Sequence, residues 1–564
     1  MSLQDLPSEI RCNIIEHLIN TIGPFKAVNV RLVSRCFDAA FLTTLTTRQA
    51  IDFEDPALRC GLWHMLPGSL KARAMMARAK RLGASPTGKQ DKSLSFLVDT
   101  IESLDELMEV ARSEQVQEQR GLMIAEAAAH FYFGSRADLK LFYDNGNNLI
   151  AHRSQNTLCG AIILGNLSLV QALLRDRTDI DVNIESACFG LPLHLASAWG
   201  HVAIFQHLLN SGANPNALSH EAEEIDHILD HNPGSGQHIH SPKGSALSAA
   251  AGSGHEIIVQ KLLSLPLDRR DRGTSPEYSH AIISATRGGH IGCIELLVRA
   301  TGRPLAELPN ALHEQMLWAA ARGGYPNVVS LLLDDPQLQL DVNTQRLGRL
   351  KNGSALHLAA ARGDTALATL LVERYGADVD LESYEHGVGC PYEIAARAGH
   401  RETLEFLLTA SGDEHAVTRA FQSAARGAQL GILAWLLARY GREIAAIQAY
   451  PDMAASNNDT VGQVALVRAI VDPAPGVILF LVREAHVSLN EGFASLGGML
   501  PVAVAKTESS RWVVDLLLRL GAEDVTVDED HLRANSSWES FTTEEGPLYT
   551  IRGVRVSERT WQWV

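Results

Sequence analysis

Aromatic residues make up only 6% of this 564-residue chain. That excludes a core built on large rings. Packing must come from small aliphatic side chains, which the 46% hydrophobic content supplies. Cysteine is sparse: seven residues (Cys12, Cys36, Cys60, Cys159, Cys188, Cys293 and Cys390), odd in number and with no C-x-x-C pair. This excludes a disulfide framework and fits a reducing, intracellular setting, cytoplasmic or nuclear. Basic residues number 49 against 65 acidic, a net charge of −16. Broad nucleic-acid binding, which needs clustered Lys and Arg, is not expected. No apolar run approaches the ~18 residues of a membrane span. Met1 to Pro7 lacks the basic segment and apolar core of a signal peptide.

Catalytic signatures are also missing. There is no G-x-S-x-G elbow, no H-E-x-x-H and no Cys/His nucleophile pattern. Gly83-Ala84-Ser85-Pro86-Thr87-Gly88-Lys89-Gln90 approaches a phosphate loop but fails at Gln90, where a hydroxyl should hold magnesium, and no strand precedes it. His220, His227, His231, His238 and His240 share one short segment with several acids and Pro233-Gly234-Ser235-Gly236. Without a Cys or a rigid frame, this composition reads as a polar loop rather than a zinc site. The chain is expected to use no metal or cofactor and to be no enzyme.

What is present is repetition. Pro192-Leu193-His194-Leu195-Ala196-Ser197-Ala198-Trp199-Gly200-His201 returns as Gly353-Ser354-Ala355-Leu356-His357-Leu358-Ala359-Ala360-Ala361-Arg362-Gly363 and as Pro391-Tyr392-Glu393-Ile394-Ala395-Ala396-Arg397-Ala398-Gly399-His400. Each copy is followed by an apolar pair: Leu208-Leu209, Leu370-Leu371 and Leu407-Leu408. Paired alanines let two short helices approach closely. The glycine after the first helix ends it in the left-handed conformation. Val328, Val329, Leu332 and Leu333 show the helical apolar spacing of the second helix.

The pattern resembles the ankyrin repeat, whose period is about 33 residues. Aligned on the residue that ends the first helix, the units fall at Gly165, Gly200, Gly254, Gly289, Gly324, Gly363, Gly399, Ala428, Pro473 and Ser509. The last three replace the turn glycine. One long interval, across residues 217–242, holds the His-rich insert. A His after the turn glycine, as in Gly200-His201, Gly254-His255, Gly289-His290 and Gly399-His400, is read as bonding neighbouring backbone rather than acting chemically. The resemblance implies an all-α array over 153–525 of about ten units, stacked because one unit cannot bury its apolar face alone.

The N-terminus reads as a separate module over 1–45. Pro7 and Glu9 suit a helix start, and Ile10, Ile14, Ile15 and Leu18 recur at helical spacing. With Leu6-Pro7, Glu9-Ile10 and Arg31-Leu32-Val33-Ser34-Arg35, this segment resembles the F-box, with Phe37 where that family often has Trp. The F-box docks on the Skp adaptor of cullin-RING ubiquitin ligases. The resemblance assigns that contact to Leu6, Pro7, Ile10, Ile14, Ile15, Leu18, Val30, Leu32, Val33 and Phe37. An F-box-like segment followed by an ankyrin array resembles a large group of proteins in filamentous fungi.

Residues 46–152 read as a helical spacer, with helices over Phe96–Leu107 and Ile124–Phe133 and room for an atypical early repeat. Residues 526–564 read as a C-terminal cap. There Pro547–Ile551 and Val554–Val556 flank Arg552-Gly553 as a hairpin, and Trp538, Trp561 and Trp563 are suited to covering the last repeat. The resulting expectation is a monomeric, non-enzymatic adaptor. Its N-terminal helices would hold the Skp adaptor and cullin complex, and its array an unidentified substrate protein. The alternative is an ankyrin scaffold whose N-terminal helices are only a cap, with no ligase link.

Overall fold

The computed structural model describes residues 7, 9–16, 40–41, 44, 72–73, 75–76, 95–108, 114–131, 153–186, 188–218, 244–265, 276–345, 353–383, 389–449, 459–471, 474–496, 498–508, 511–525, 541–543, 546–551 and 554–557. The near-phosphate loop 83–90, residues 219–242 of the insert, Pro473, Ser509 and the three C-terminal tryptophans lie outside them. The chain divides into two compact units: Met1–Gly323 with Asn327–Leu338, and Gly324–Pro326 with Gln339–Val564.

In the first unit the helices run in pairs: Arg153–Ile163 with Leu167–Asp176, Pro192–Ala198 with Val202–Asn210, Ala246–Gly252 with Glu256–Ser264, and Pro276–Arg287 with Ile291–Thr301, followed by Asn310–Gly323. Each first helix packs on the first helix of the next pair, and second helix packs on second. Ahead of them, Ser95–Met108 and Glu114–Phe131 pack together and against Arg153–Ile163, so the first pair does not expose its face. Phe96 meets Phe189 edge to face, with ring centroids 6.0 Å apart. The second spacer helix starts about ten residues before the point set by apolar spacing. Glu114-Gln115-Val116-Gln117-Glu118-Gln119-Arg120 has little apolar periodicity, but these residues are mostly strong helix formers.

The second unit repeats the scheme with Ala355–Arg362 and Thr365–Arg374, Pro391–Ala398 and Arg401–Ala410, Ala416–Arg426 and Leu430–Tyr440, Val461–Val471 and Pro475–Arg483, and Pro501–Glu508 and Arg511–Arg519. Its core is small: Ala359, Ala360, Ala395, Ala396, Ala420 and Ala424 are fully buried between helices, beneath Leu367, Leu371, Leu404 and Leu407. Burying each such Leu is worth about 1.5–3 kcal/mol. The C-terminal segment forms a three-stranded antiparallel sheet. Its strands Gly546–Ile551 and Val554–Ser557 make the hairpin, and Phe541–Thr543 adds a strand that alternation alone did not reveal.

Gly363 shows why the turn is glycine. Its φ is +71°, and a Cβ there would lie 2.5 Å from the ring of His400. Ala428 keeps the same left-handed conformation at φ 55° with a side chain present. That accounts for the weakened signature of this unit: the turn persists, under strain.

Candidate partner-binding surface

The loops that precede the first helices are built from a short tripeptide. Asp181-Val182-Asn183, Asp341-Val342-Asn343 and Asp378-Val379-Asp380 each bury the valine and let the first Asp accept from the amide two residues on, at 2.8, 2.8 and 2.9 Å. The third residue reaches the next loop. Asn183 accepts from Asn214 N and donates to Gly212 O; Asn343 accepts from Asp378 N; Asp380 accepts from Gly412 N and from Ser411 Oγ. Near the end of the second unit Asn490 does the same with Glu523 N and Gly521 O. Within each unit this ladder sets neighbouring loops side by side as a firm edge. Alignment on the turn glycines passes over it, although the repeated Asp-Val-Asn was a legible signal.

The side chains on these loops differ between units. Ile184 and Leu218 are 43% and 39% exposed on the first unit. In the second unit the exposed loop residues include the acids Asp378, Glu382 and Glu414. Behind that acidic edge lies a polar hub. Arg419 donates to Glu393 at 2.7 and 3.0 Å and to Glu382 at 2.6 Å, and lies 3.5 Å from Asp413. Ser423 donates to Glu393, and Tyr392 donates its hydroxyl to Asp413. Burial works against the Arg419 charge, but Glu393 and its neighbours hold the guanidinium above its usual range. Burial also pushes the Tyr392 hydroxyl up. The hub joins helices Pro391–Ala398 and Ala416–Arg426. No spacing in the sequence announced it, because its members come from three separate segments.

The histidines after the turn glycines act on backbone, as their position suggested. His201, His255 and His400 meet the carbonyls of Ile163, Ala198 and Ala361 at 3.4, 3.0 and 3.0 Å. Gln429 takes that role on Arg397 O. Burial raises the thiols of Cys159 and Cys188, and lifts Cys293 and Cys390 to about 12, so these cysteines hold their protons. Among the described residues, no group of three or more His, Cys, Asp or Glu could hold a metal. No helix among them is long and apolar enough to cross a membrane.

Of the residues assigned to the Skp contact, four are described. Pro7 is exposed and its carbonyl accepts from Ile10 N and Arg11 N, starting a helix over 9–16. Ile10 and Ile14 are 45% and 39% exposed, while Ile15 is buried on the opposite side with Cys12. Thr44 Oγ1 donates to Cys12 O and Ala40 O, tying the helix to Ala40 and Thr44. Leu6, Leu18, Val30, Leu32, Val33 and Phe37 lie outside the described residues.

The comparisons with known proteins fit this architecture. Residues 32% identical to "Ankyrin repeat and KH domain-containing protein mask-1" of Caenorhabditis elegans extend over 173 positions, 29% of this chain and 6% of that protein. Identity to the "Nuclear factor NF-kappa-B p105 subunit" of Gallus gallus is 26% over 251 residues, 43% of this chain and 22% of that protein. The chain thus spans under a quarter of the length of either relative. The ankyrin-repeat family model matches residues 316–419 as three copies, and a single-repeat model matches 191–220. These two segments are ankyrin repeats, a kind of repeat that indicates a scaffold for protein–protein interaction.

Proposed function

We propose that this chain is a non-enzymatic adaptor that links a bound protein to a Skp-cullin-F-box ubiquitin ligase. The array supplies the partner surface and the N-terminal helix the Skp contact, so the chain contributes proximity rather than chemistry. The observation that carries the reading is the helix over 9–16. Cys12 and Ile15 anchor it to the chain's own core, yet Ile10 and Ile14, one turn apart, remain on the outside. An apolar pair held outward on an anchored helix suits docking into an apolar groove, the helix-in-groove mode. A reducing intracellular setting goes with this role.

The test is binding of the purified full chain to a purified Skp-type adaptor. Ile10→Ser with Ile14→Ser should weaken binding by at least tenfold, since truncating buried interface anchors costs on the order of 1–4 kcal/mol, and the melting temperature should hold. Equal binding by variant and parent would remove this face from the account. The second reading, an ankyrin scaffold with a helical cap, draws on the same anchoring by Cys12, Ile15 and Thr44. It predicts no adaptor binding at all.

A further inference from the structure

We propose that the outer face of the helix Leu430–Tyr440 docks an acidic amphipathic helix of a partner protein. This rests on the reading of the array as a partner surface, and it names a face and a chemistry for that partner.

Each second helix buries one side and turns the other to solvent. The buried pairs Ile294 and Leu297, Leu404 and Leu407, and Leu433 and Leu436 set a common register. In that register the outward positions carry Glu295 and Arg299 on the helix Ile291–Thr301, and Glu402 and Glu405 on Arg401–Ala410, all exposed. On Leu430–Tyr440 the same positions hold Gly431, Ala434 and Ala438, again all exposed, and a Cβ on Gly431 would meet nothing within 4 Å. Larger apolar groups frame them. Leu430 and Tyr440 are each 41% exposed, and Trp435 is half-buried. On the neighbouring second helix Pro475–Arg483, Leu479 is half-buried, and a Cβ on Gly476 would fall 3.0 Å from Leu430 Cδ1. The apolar face therefore continues from one helix to the next. A contiguous apolar face where other second helices carry charge marks an interaction surface.

Two arginines give the occupant its charge. Arg401 lies over the Trp435 ring, 5.5 Å from its centroid, and Arg439 over the Tyr440 ring at 5.6 Å. The two rings meet edge to face at 6.3 Å, so the four side chains form one rim. Both arginines are exposed, and neither makes an ion pair among the described residues, although Glu405 stands one turn along from Arg401. In a protein of net charge −16, two cations held on aromatic faces without a carboxylate select an acidic ligand. A second copy of the chain fits less well, because a two-fold contact through this face sets Arg401 and Arg439 against their own copies. A helix suits the surface. Gly431, Ala434 and Ala438 lack bulk, so a helix can approach closely and set its own larger apolar side chains against Leu430, Trp435 and Tyr440.

At 1.5 Å per residue the helix Leu430–Tyr440 is about 16 Å long, so a helical peptide of about fourteen residues covers it. The probe is a fluorescein-labelled peptide of that length made of leucine, alanine and glutamate. Its leucines recur at helical spacing and its glutamates run along both borders. It is titrated with the full chain and read by anisotropy. A glutamine version keeps the apolar face without the charge, and a scrambled version keeps the composition without the face. The glutamate peptide should bind, the glutamine peptide about threefold or more weakly, and the scrambled peptide about tenfold or more weakly. Arg401→Gln with Arg439→Gln should lower binding of the glutamate peptide to the level of the glutamine peptide and leave the glutamine peptide unchanged. Ala434→Glu with Ala438→Glu should weaken both by about tenfold or more. Gln206→Glu with Asn210→Glu puts the same charges at the matching positions of the helix Val202–Asn210 and should bind as the parent does. All four of these positions are exposed and Glu is a good helix former, so melting temperatures should hold. Failure of the parent to bind the glutamate peptide overturns the proposal, as does equal loss in both acidic variants. So does a parent dimer in sedimentation that Ala434→Glu with Ala438→Glu dissociates, since a second copy then covers the face. Skp binding through residues 9–16 and partner capture at the loop edge are judged by their own experiments.

Discussion

Acid should loosen this fold before its carboxylates titrate. His280 in the first unit and His357 in the second are buried neutral. Burial draws both down from 6.5 to about 4; for His280 the charge of Arg287 adds to this, and for His357 the carbonyls of Gly389 and Leu381 pull weakly the other way. A histidine whose folded pKa is depressed binds its proton first in the unfolded chain. Stability is thus complete above pH 6.5 and declines as pH falls from there towards 4. At pH 5 the unfolded histidine is mostly charged and the folded one mostly neutral, a loss of about 2 kcal/mol for each group. Urea melts at pH 7 and pH 5 would read it. His357 Nδ1 accepts from Ser354 N at 3.0 Å, closing a capping box, and Glu393 holds the same place in the next pair. His357→Gln keeps an acceptor there and does not titrate. The variant should lose about 2 kcal/mol less than the parent between pH 7 and pH 5, and His280→Gln should add a similar saving in the first unit. If the double variant shows the parent's full pH dependence, buried histidines are not the source.

Two stability predictions accompany it. Leu371 is fully buried, so Leu371→Ala should cost about 2–5 kcal/mol, with hydrogen exchange rising in the pairs of the second unit rather than over residues 95–131; uniform loss of protection would contradict stacking by neighbours. Ala428 holds φ 55° and its side chain is exposed, so Ala428→Gly should stabilise by about 0.5–1 kcal/mol in a thermal melt, and a destabilised variant would refute strain at this turn.

The array was legible because three demands fall on the same few residues. The turn needs positive φ, the next pair leaves no room for a Cβ, and paired helices need alanine where they touch. Gly363 with Ala359 and Ala360 satisfies all three, so the pattern survives where other positions drift. Ala428 drifted at one demand only, and its unit stood out less. The loop ladder was written in Asp-Val-Asn but was hidden by alignment on the helices. The Arg419 hub was not legible, because polar partners 26 or 37 residues apart, such as Arg419 with Glu393 and Glu382, leave no period to detect. The outward pair Ile10 and Ile14 was read from helical spacing, but only the fold separates them from the buried Ile15.

In the proposed adaptor, one chain holds a ligase adaptor and a second protein at separate places. Cross-linking mass spectrometry of the tagged full chain isolated from cells, with proteasome activity blocked, tests it most directly. A Skp-type adaptor should be cross-linked close to residues 9–16 and a different protein to the loop edge and helices of the array. Recovery of array partners with no Skp-type adaptor would contradict the ligase link and leave a plain ankyrin scaffold.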